Sequence, residues 1–454
     1  MKIAVAGAFG FIGQHLMKHL LDSTNWSVRA ISRSARESEH DRVECVASDL
    51  YSLKKTVAAL KGCDAAVYLV HSMSPSSRLT QGSFEDFDYI LADNFSRACT
   101  LNGINHIVYV GGMIPSSEKL SPHLKSRLEV EDVLKSHGPL VTSLRCGLVI
   151  GPNASSFSII VRLTERLPVM ILPQWMRTKS NPIYVEDLVT IVRSSLMNPA
   201  ESHRTIDAGM SEAVSYKDIV QQTAKVINVK PKLIDVPYVS PKLSKLWVRI
   251  VSESPKALVY PLIDSVRHSM LRSEKHEIPS EWAVSPCNLE DAVKRTFSAP
   301  FSFTLPRLLT SIKNLNEVRS IQRLPLPVGE SAEQVADRYL KWLPHFLRPF
   351  LVVRKNGDCS EYQLRGFKIR LLSLEKDHEL STKDRQLFRV TSGLLVASGN
   401  RGRFEFRESY NGEFLIVALH NFHPALPWPI YRFSQAIVHQ FVVKRFAKHL
   451  GETM

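Results

Sequence analysis

Three glycines at three-residue spacing, in Gly7-Ala8-Phe9-Gly10-Phe11-Ile12-Gly13, follow directly on the apolar run Lys2 to Ala6 and lead into the helical pattern QHLMKHLL. Strand, glycine turn and helix in that order make a dinucleotide-phosphate site. Gly7 permits a tight turn, and Gly10 carries no side chain to block the pyrophosphate. Gly13 lets the helix pack close to the strand, and the helix N-terminus turns its N–H groups toward the phosphates. All seven residues are candidate cofactor contacts. The next strand-type run ends Ile31-Ser32-Arg33-Ser34-Ala35-Arg36, with no acid before Glu37. An acid there would hold the ribose 2′-hydroxyl of NAD, whereas arginine meets the 2′-phosphate of NADP. Ser32, Arg33 and Arg36 therefore predict NADP in preference to NAD.

Two further places carry chemistry. Ser121-Pro122-His123-Leu124-Lys125-Ser126-Arg127 puts His123 and Arg127 four residues apart, on one face of a helix. An imidazole can act as a general acid near neutral pH, and a neighbouring guanidinium depresses its pKa and can orient a ribose. The run Ala65 to Val70 ends at His71-Ser72, and backbone at that edge of a sheet lines a cofactor cleft, so both are candidates for the pyrophosphate or nicotinamide ribose. The six cysteines are scattered and contain no CxxC, which predicts reduced thiols in a cytoplasmic protein and no metal site.

The elements that must position these residues alternate through about residue 150, which predicts a doubly wound parallel sheet. Strands are expected at 27–31, 43–47, 65–70, 107–110 and 140–150. Helices are expected at 53–60, 84–101 (stopped by Asn102-Gly103) and 121–136. Residues 151–300 are less regular and are expected to form a smaller substrate lobe, with a helix near 185–196. Pro and Ser cluster at 298–306, where a linker is expected between a domain over 1–300 and another over 307–454. The second domain predicts a strand at 318–326 and a helix from Ser331 to Leu347. About six strands follow over 350–419, with hairpin turns at Asn356-Gly357 and Asn411-Gly412, and then a closing helix at 429–450. That order resembles the START-like helix-grip fold, an α+β domain wrapped around its last helix that often holds an apolar cavity.

The GxxGxxG spacing resembles the short-chain dehydrogenase/reductase superfamily, in its extended and atypical members. Taken with YLVHSM, SPHLKSR, LRCGLVIGP, RLPVMILPQW, NPIYVEDL and SPKLSKLWVRIVSESP, residues 1 to about 275 resemble an atypical, NmrA-like subgroup that binds NAD(P) and often carries an extra C-terminal domain. They are more distantly similar to the accessory subunit of respiratory complex I that binds NADPH without turning it over. The resemblance implies that Asp49 and Leu50 contact adenine, and Asn94 matches the asparagine of extended members. Gly111-Gly112-Met113 falls where a catalytic serine is expected, with Gly111 lining the cofactor. Arg145 to Pro152 resembles the family's RxGxxxGP segment facing the nicotinamide, and Asn181 to Asp187 its segment covering the substrate cleft. His123 and Arg127 stand at the positions of the family's YxxxK pair, so the resemblance implies them as the candidate catalytic residues, with Arg127 also a candidate cofactor contact, and the replacement puts ordinary short-chain reductase catalysis in doubt.

The chain has 454 residues, 44% hydrophobic and 22% charged, with a mean hydropathy of −0.08. It has no stretch near the ~18 apolar residues that a membrane span needs. Because it starts on a core strand, no cleaved signal peptide is expected. The net charge of +14 is uneven: residues 301–454 hold 23 Lys and Arg against 14 Asp and Glu. No nucleic-acid motif accompanies it, and a basic solvated surface is the favoured reading. The last helix mixes Phe433, Ile437, Phe441 and Phe446 with Arg432, Lys444, Arg445 and Lys448, a pattern that suits either peripheral membrane contact or a buried closing helix. Three functions follow in order: an NADP(H) oxidoreductase acting on a small apolar carbonyl, quinone or lipid-like substrate; a non-catalytic NADP(H)-binding sensor or assembly factor; and a hydrophobic-ligand carrier working through the C-terminal domain.

Overall fold

A computed structural model describes residues 1–71, 77–115, 120–236, 240–298, 307–310, 317–367 and 369–452. Contacts divide the chain into two compact units: one holds residues 1–73 and 88–312, the other 74–87 and 313–454.

The first unit is built on seven parallel strands: β1 (Lys2–Ala6), β2 (Ser27–Ser32), β3 (Val43–Ala47), β4 (Ala65–Tyr68), β5 (His106–Gly112), β6 (Leu140–Cys146) and β7 (Arg204–Ala208). They lie in the order β7-β6-β5-β4-β1-β2-β3, so the order reverses between β1 and β4. That reversal opens a crevice at the carboxyl ends of the strands, where doubly wound sheets bind ligands. Helices α1 (Phe11–Ser23), α2 (Leu53–Leu60), α3 (Phe84–Leu101) and α4 (Pro122–Lys135) form the crossovers. The strands read as continuous apolar runs because both faces are covered. Ile3, Val5, Val28, Ala30, Val67 and Val108 are all fully buried.

The strand expected over 140–150 stops at Cys146, and Val149–Ile150 instead pairs with Ile183–Tyr184. Gly147 allows the departure, because a side chain there would fall 2.8 Å from the Asn181 carbonyl oxygen. The rest of the lobe carries the helices α5 (Ser155–Arg166), α6 (Val185–Met197), α7 (Tyr216–Val226), α8 (Pro241–Ser252), α9 (Lys256–Ser265) and α10 (Leu289–Ser298), together with two short strand pairs, Val169–Pro173 with Lys232–Val236 and Lys179–Ser180 with Val214–Ser215. Phe157, Leu163, Met170, Met176, Val220, Val248 and Val259 share its core.

In the second unit, β8 (Val318–Pro325) leads to α11 (Ala332–Phe346) and then to six strands: β9 (Leu351–Asn356), β10 (Cys359–Leu364), β11 (Arg370–Lys376), β12 (Arg385–Val390), β13 (Arg403–Glu408) and β14 (Phe414–Phe422). These form an antiparallel meander in sequence order, with β8 beside β14 and the short strand Leu79–Gln81 added parallel to β8. Ser331 caps α11 in a reciprocal capping box with Gln334. The single closing helix expected at the end is two helices, α12 (Trp428–Phe433) and α13 (Gln435–Gly451), because Ser434 leaves helical geometry at φ −128° and ψ −86°. Tyr339, Phe404, Phe406, Val417 and Phe446 form part of the core between sheet and helices.

Candidate functional site

Gly7, between β1 and α1, adopts φ +88°, open to glycine but strained for other residues, and its carbonyl accepts the Gly10 N–H at 3.0 Å. A Cβ on Gly13 would fall 2.4 Å from the Gly7 oxygen, so only glycine lets the helix lie this close to the turn. A Cβ on Gly10 would meet the protein only at 3.3 Å, again at that oxygen. Gly10 caps α1 without a side-chain acceptor, and no acid occupies the first turn. The backbone dipole at this end therefore favours an anion uncontested. Ala8 is buried and Ile12 half-buried, whereas the Phe11 ring turns toward the lobe, where a Cβ on Gly151 would lie 3.0 Å from it.

The arginines after β2 separate in space. Ser32 donates its hydroxyl to the Ser34 carbonyl at 2.6 Å, Arg33 is exposed, and the Arg36 guanidinium carbon lies 4.4 Å from the Phe9 ring centroid. A guanidinium over a ring face gains cation–π attraction. The backbone around Arg36 is held by a short antiparallel pairing of Ala35–Glu37 with Arg307–Thr310. Asp49 accepts the Tyr51 N–H at 3.2 Å, and the Leu50 carbonyl accepts the buried Asn94 amide at 2.8 Å. Asn94 thus braces the loop after β3 from behind.

Past β4, four ionisable side chains converge. The His71 Nδ1 lies 2.7 Å from Asp88 Oδ2, and Arg127 donates to the same oxygen at 2.5 Å. The Arg127 nitrogen is also 2.7 Å from His71 Nδ1. That ring nitrogen can donate to Asp88 or accept from Arg127, not both at once, so the imidazole tautomer is set by this pair. The His123 ring stands 5.2 Å from the His71 ring. Burial, then the neighbouring His71 and Arg127, push the His123 pKa down to about 3. Burial and Arg127 likewise lower that of His71, against the pull of Asp88. Both imidazoles are therefore neutral at pH 7, and the expectation of His123 as an imidazolium acid gives way to a neutral N–H group. The Arg127 Nε is buried with no hydrogen-bond partner among the described residues, a donor a cofactor oxygen could satisfy. Ser72 lies outside the described residues.

Gly111 is required by its own strand: a Cβ there would fall 2.6 Å from the Tyr109 ring, whose hydroxyl donates to the Arg127 carbonyl at 3.1 Å. In the covering segment, Asn181 donates to the Met210 carbonyl at 2.9 Å and accepts the Arg272 N–H at 3.0 Å. Asp88 escaped the sequence reading; its position on α3, facing both His71 and Arg127, has no local signature. Among the described residues, no group of three or more His, Cys, Asp or Glu could hold a metal.

The glycine cradle, the arginine over Phe9 and the orphaned Arg127 Nε fit a phosphate-bearing dinucleotide. Residues 7–156 match the family described as NAD(P)H-binding. Fold and match together give the first unit a Rossmann-type sheet whose residues 7–156 carry the NAD(P)H-binding match. The auxiliary protein GraX of Staphylococcus aureus is 31% identical over 113 residues, 24% of this chain and 36% of that protein, so the chain spans about a third of that relative's length. A ceramide reductase of Caulobacter vibrioides is 23% identical over 244 residues, 52% of this chain and 73% of that one. An NADPH-dependent quinone oxidoreductase from Escherichia coli, solved with NADPH, shares the fold with a TM-score of 0.51 at 14% identity, over 65% of this chain and 100% of that one.

Proposed function

We propose that this protein is an NADP(H)-dependent oxidoreductase acting on a small, fairly apolar carbonyl compound, a quinone or a lipid-like molecule. The observation that carries the NADP preference is the Arg36 guanidinium over the Phe9 ring, beside the glycine turn. The similarity to a ceramide reductase and, in fold, to a quinone oxidoreductase supports the substrate class. Bound NADPH would supply a hydride. The chain's own residues would hold it: the Gly7–Gly13 turn at the pyrophosphate, Arg36 at the 2′-phosphate, Asp49 and Leu50 at the adenine end, and His71 and Arg127 toward the ribose. His123, neutral at pH 7, would hold a carbonyl oxygen by N–H donation rather than deliver a proton from an imidazolium.

Fluorescence titration of the purified protein with NADPH and with NADH tests the cofactor, followed by NADPH oxidation across a panel of quinones, aldehydes and ketones. Tight NADPH binding, weakened about tenfold or more by Arg36→Ala while NADH binding is unchanged, is expected. His123→Ala should abolish turnover and leave NADPH binding intact; unchanged turnover would remove His123 from the mechanism.

A second reading, a non-catalytic NADP(H) sensor or assembly factor, is favoured by one observation: Arg127, at the usual lysine position, is committed to Asp88. NADPH that stays bound and unoxidised across the whole panel supports it. The order β8, α11, six-stranded meander and α13 supports assigning the second unit to the START-like helix-grip class. A hydrophobic-ligand carrier role there has one specific support, the buried Tyr362 hydroxyl with no hydrogen-bond partner among the described residues. Lipid extraction and mass spectrometry of purified protein test it, and a lipid-free result counts against it.

A further inference from the structure

The last two helices bury one face and leave the other apolar. α13 commits Ala436, Val442, Val443, Phe446 and Leu450 to the core of the second unit. A helix face turned to water is ordinarily polar. Here Phe433 is 72% exposed, Ile430 55%, Ile437 54%, Val438 54% and Phe441 49%. The patch continues beyond these helices. The Phe441 ring lies 6.2 Å from that of Phe346, at the end of α11, and Phe350, four residues on, is 64% exposed. The Phe350 carbonyl accepts the Arg365 N–H at 2.8 Å, which brings in the turn after β10, where Phe367 is 63% exposed. Contiguous exposed apolar surface of this kind marks an interaction site rather than solvent-facing surface.

Its charge is one-sided. Residues 414–451 contain no Asp or Glu, and Arg432, Lys444, Arg445 and Lys448 are all exposed; Glu452, just past the helix, lies 3.8 Å from Lys448. The Arg445 guanidinium lies 5.4 Å from the Phe441 ring and that of Arg432 lies 5.6 Å from the Phe433 ring, so charged heads and apolar rings share one surface. Arg348 and Arg365 stand exposed beside Phe350 and Phe367.

We propose that this face docks on the surface of an anionic lipid bilayer. Exposed aromatic and aliphatic side chains would enter the headgroup and acyl boundary, while the basic rim meets lipid phosphates. The charge pattern selects this occupant. A second copy of the chain would set Arg432, Lys444, Arg445 and Lys448 against their own like, and an electrically neutral partner would leave the basic rim unused. No helix among the described residues is long and apolar enough to cross a membrane, so the contact is one of lying on the surface. The proposal does not depend on the nucleotide reading.

The test is co-sedimentation of the full chain with vesicles of phosphatidylcholine alone and of phosphatidylcholine containing about a third phosphatidylglycerol, at low and high salt. The expected result is binding to the anionic vesicles at least about tenfold stronger than to the neutral ones, falling as salt rises. The double substitution Phe433→Asp with Ile437→Asp, and separately Lys444→Glu with Arg445→Glu, should each reduce that binding about tenfold or more, with far-ultraviolet circular dichroism and NADPH titration unchanged. Equal partition to both vesicle types, or sedimentation with neither, overturns the proposal. So does a dimer in light scattering that the Phe433→Asp, Ile437→Asp variant converts to monomer, since the face would then be a self-interface. Loss of NADPH binding by the wild-type chain would bear on the nucleotide site alone.

Discussion

At Asp88 one carboxylate oxygen holds two neighbours, His71 and Arg127. Removing its charge takes this counter-charge from the buried Arg127 guanidinium, a costly change because the ion has lost its water. Asp88→Asn should therefore lower unfolding free energy by about 3 kcal/mol, read from the urea midpoint. His123 gives a pH signature. Its pKa is about 3 in the fold against 6.5 unfolded, so folding favours the neutral ring. The stability it contributes is fully present above about pH 6.5 and is lost as pH falls from there toward 3. The melting temperature of the wild type should fall more than that of His123→Gln between pH 7 and 4.5. Parallel curves would mean that the ring titrates normally. In the same way, any turnover that uses His123 as a neutral N–H should show no inflection near pH 6.5 in kcat.

The glycine turn shows what one element can decide. Gly13 and Gly10 look interchangeable in the GxxGxxG string, yet the backbone separates their roles. Gly13→Ala places a methyl group 2.4 Å from the Gly7 oxygen, which must push α1 off the turn. A loss of about 1–3 kcal/mol in stability is expected, by analogy with overpacking. Gly10→Ala meets only one atom, at 3.3 Å, a tight but lesser clash, and should lose less stability than Gly13→Ala. If the pyrophosphate lies over Gly10, that variant loses nucleotide affinity while keeping its fold. A Gly10→Ala protein that binds NADPH normally would move the phosphate away from this glycine. The two arginines after β2 differ for a similar reason. Both stand at the right distance in sequence, but the Ala35–Glu37 pairing holds the backbone around Arg36, whereas Arg33 is exposed.

Across the whole molecule, the second unit carries a buried charge cluster that no motif announces. Arg385 and Arg407 both donate to Glu405 Oε1, Arg385 at 2.7 Å, on a stretch of sheet where all three side chains are buried. Burial alone would push the Glu405 carboxyl up, but the two guanidinium charges outweigh it and hold the carboxyl well below the usual range. A depressed carboxyl stabilises the fold above its unfolded pKa of about 4.5 and loses that contribution as pH falls below it. Acid unfolding followed by circular dichroism should therefore begin below about pH 4.5, and Glu405→Gln should lower stability at pH 7 and flatten the acid limb. The same variant leaves two buried arginines short of an anion, so its loss at neutral pH is expected to reach about 3 kcal/mol.

Local order was legible in the string of residues wherever a short stretch carries its own physics. The glycine turn, the helix stop at Asn102-Gly103, the Ser331 cap and the alternation of strands and helices each depend on neighbours a few residues away, and each predicted element stands in the fold. What needed tertiary structure was every relation across sequence distance. The break of the sixth strand at Gly147 is set by Asn181, thirty-four positions on. The short strand Leu79–Gln81 joins the sheet of the second unit because β8 offers it an edge, and three residues carry too little pattern to foretell that. The lowered pKa of His123 depends on burial and on His71 and Arg127 closing around it, and the turning of Phe433 and Ile437 outward depends on which faces of α12 and α13 the core accepted. Residue types decide which chemistry is available and which periodicity is possible; burial and the meeting of distant side chains decide which charges survive and which surface is left to bind.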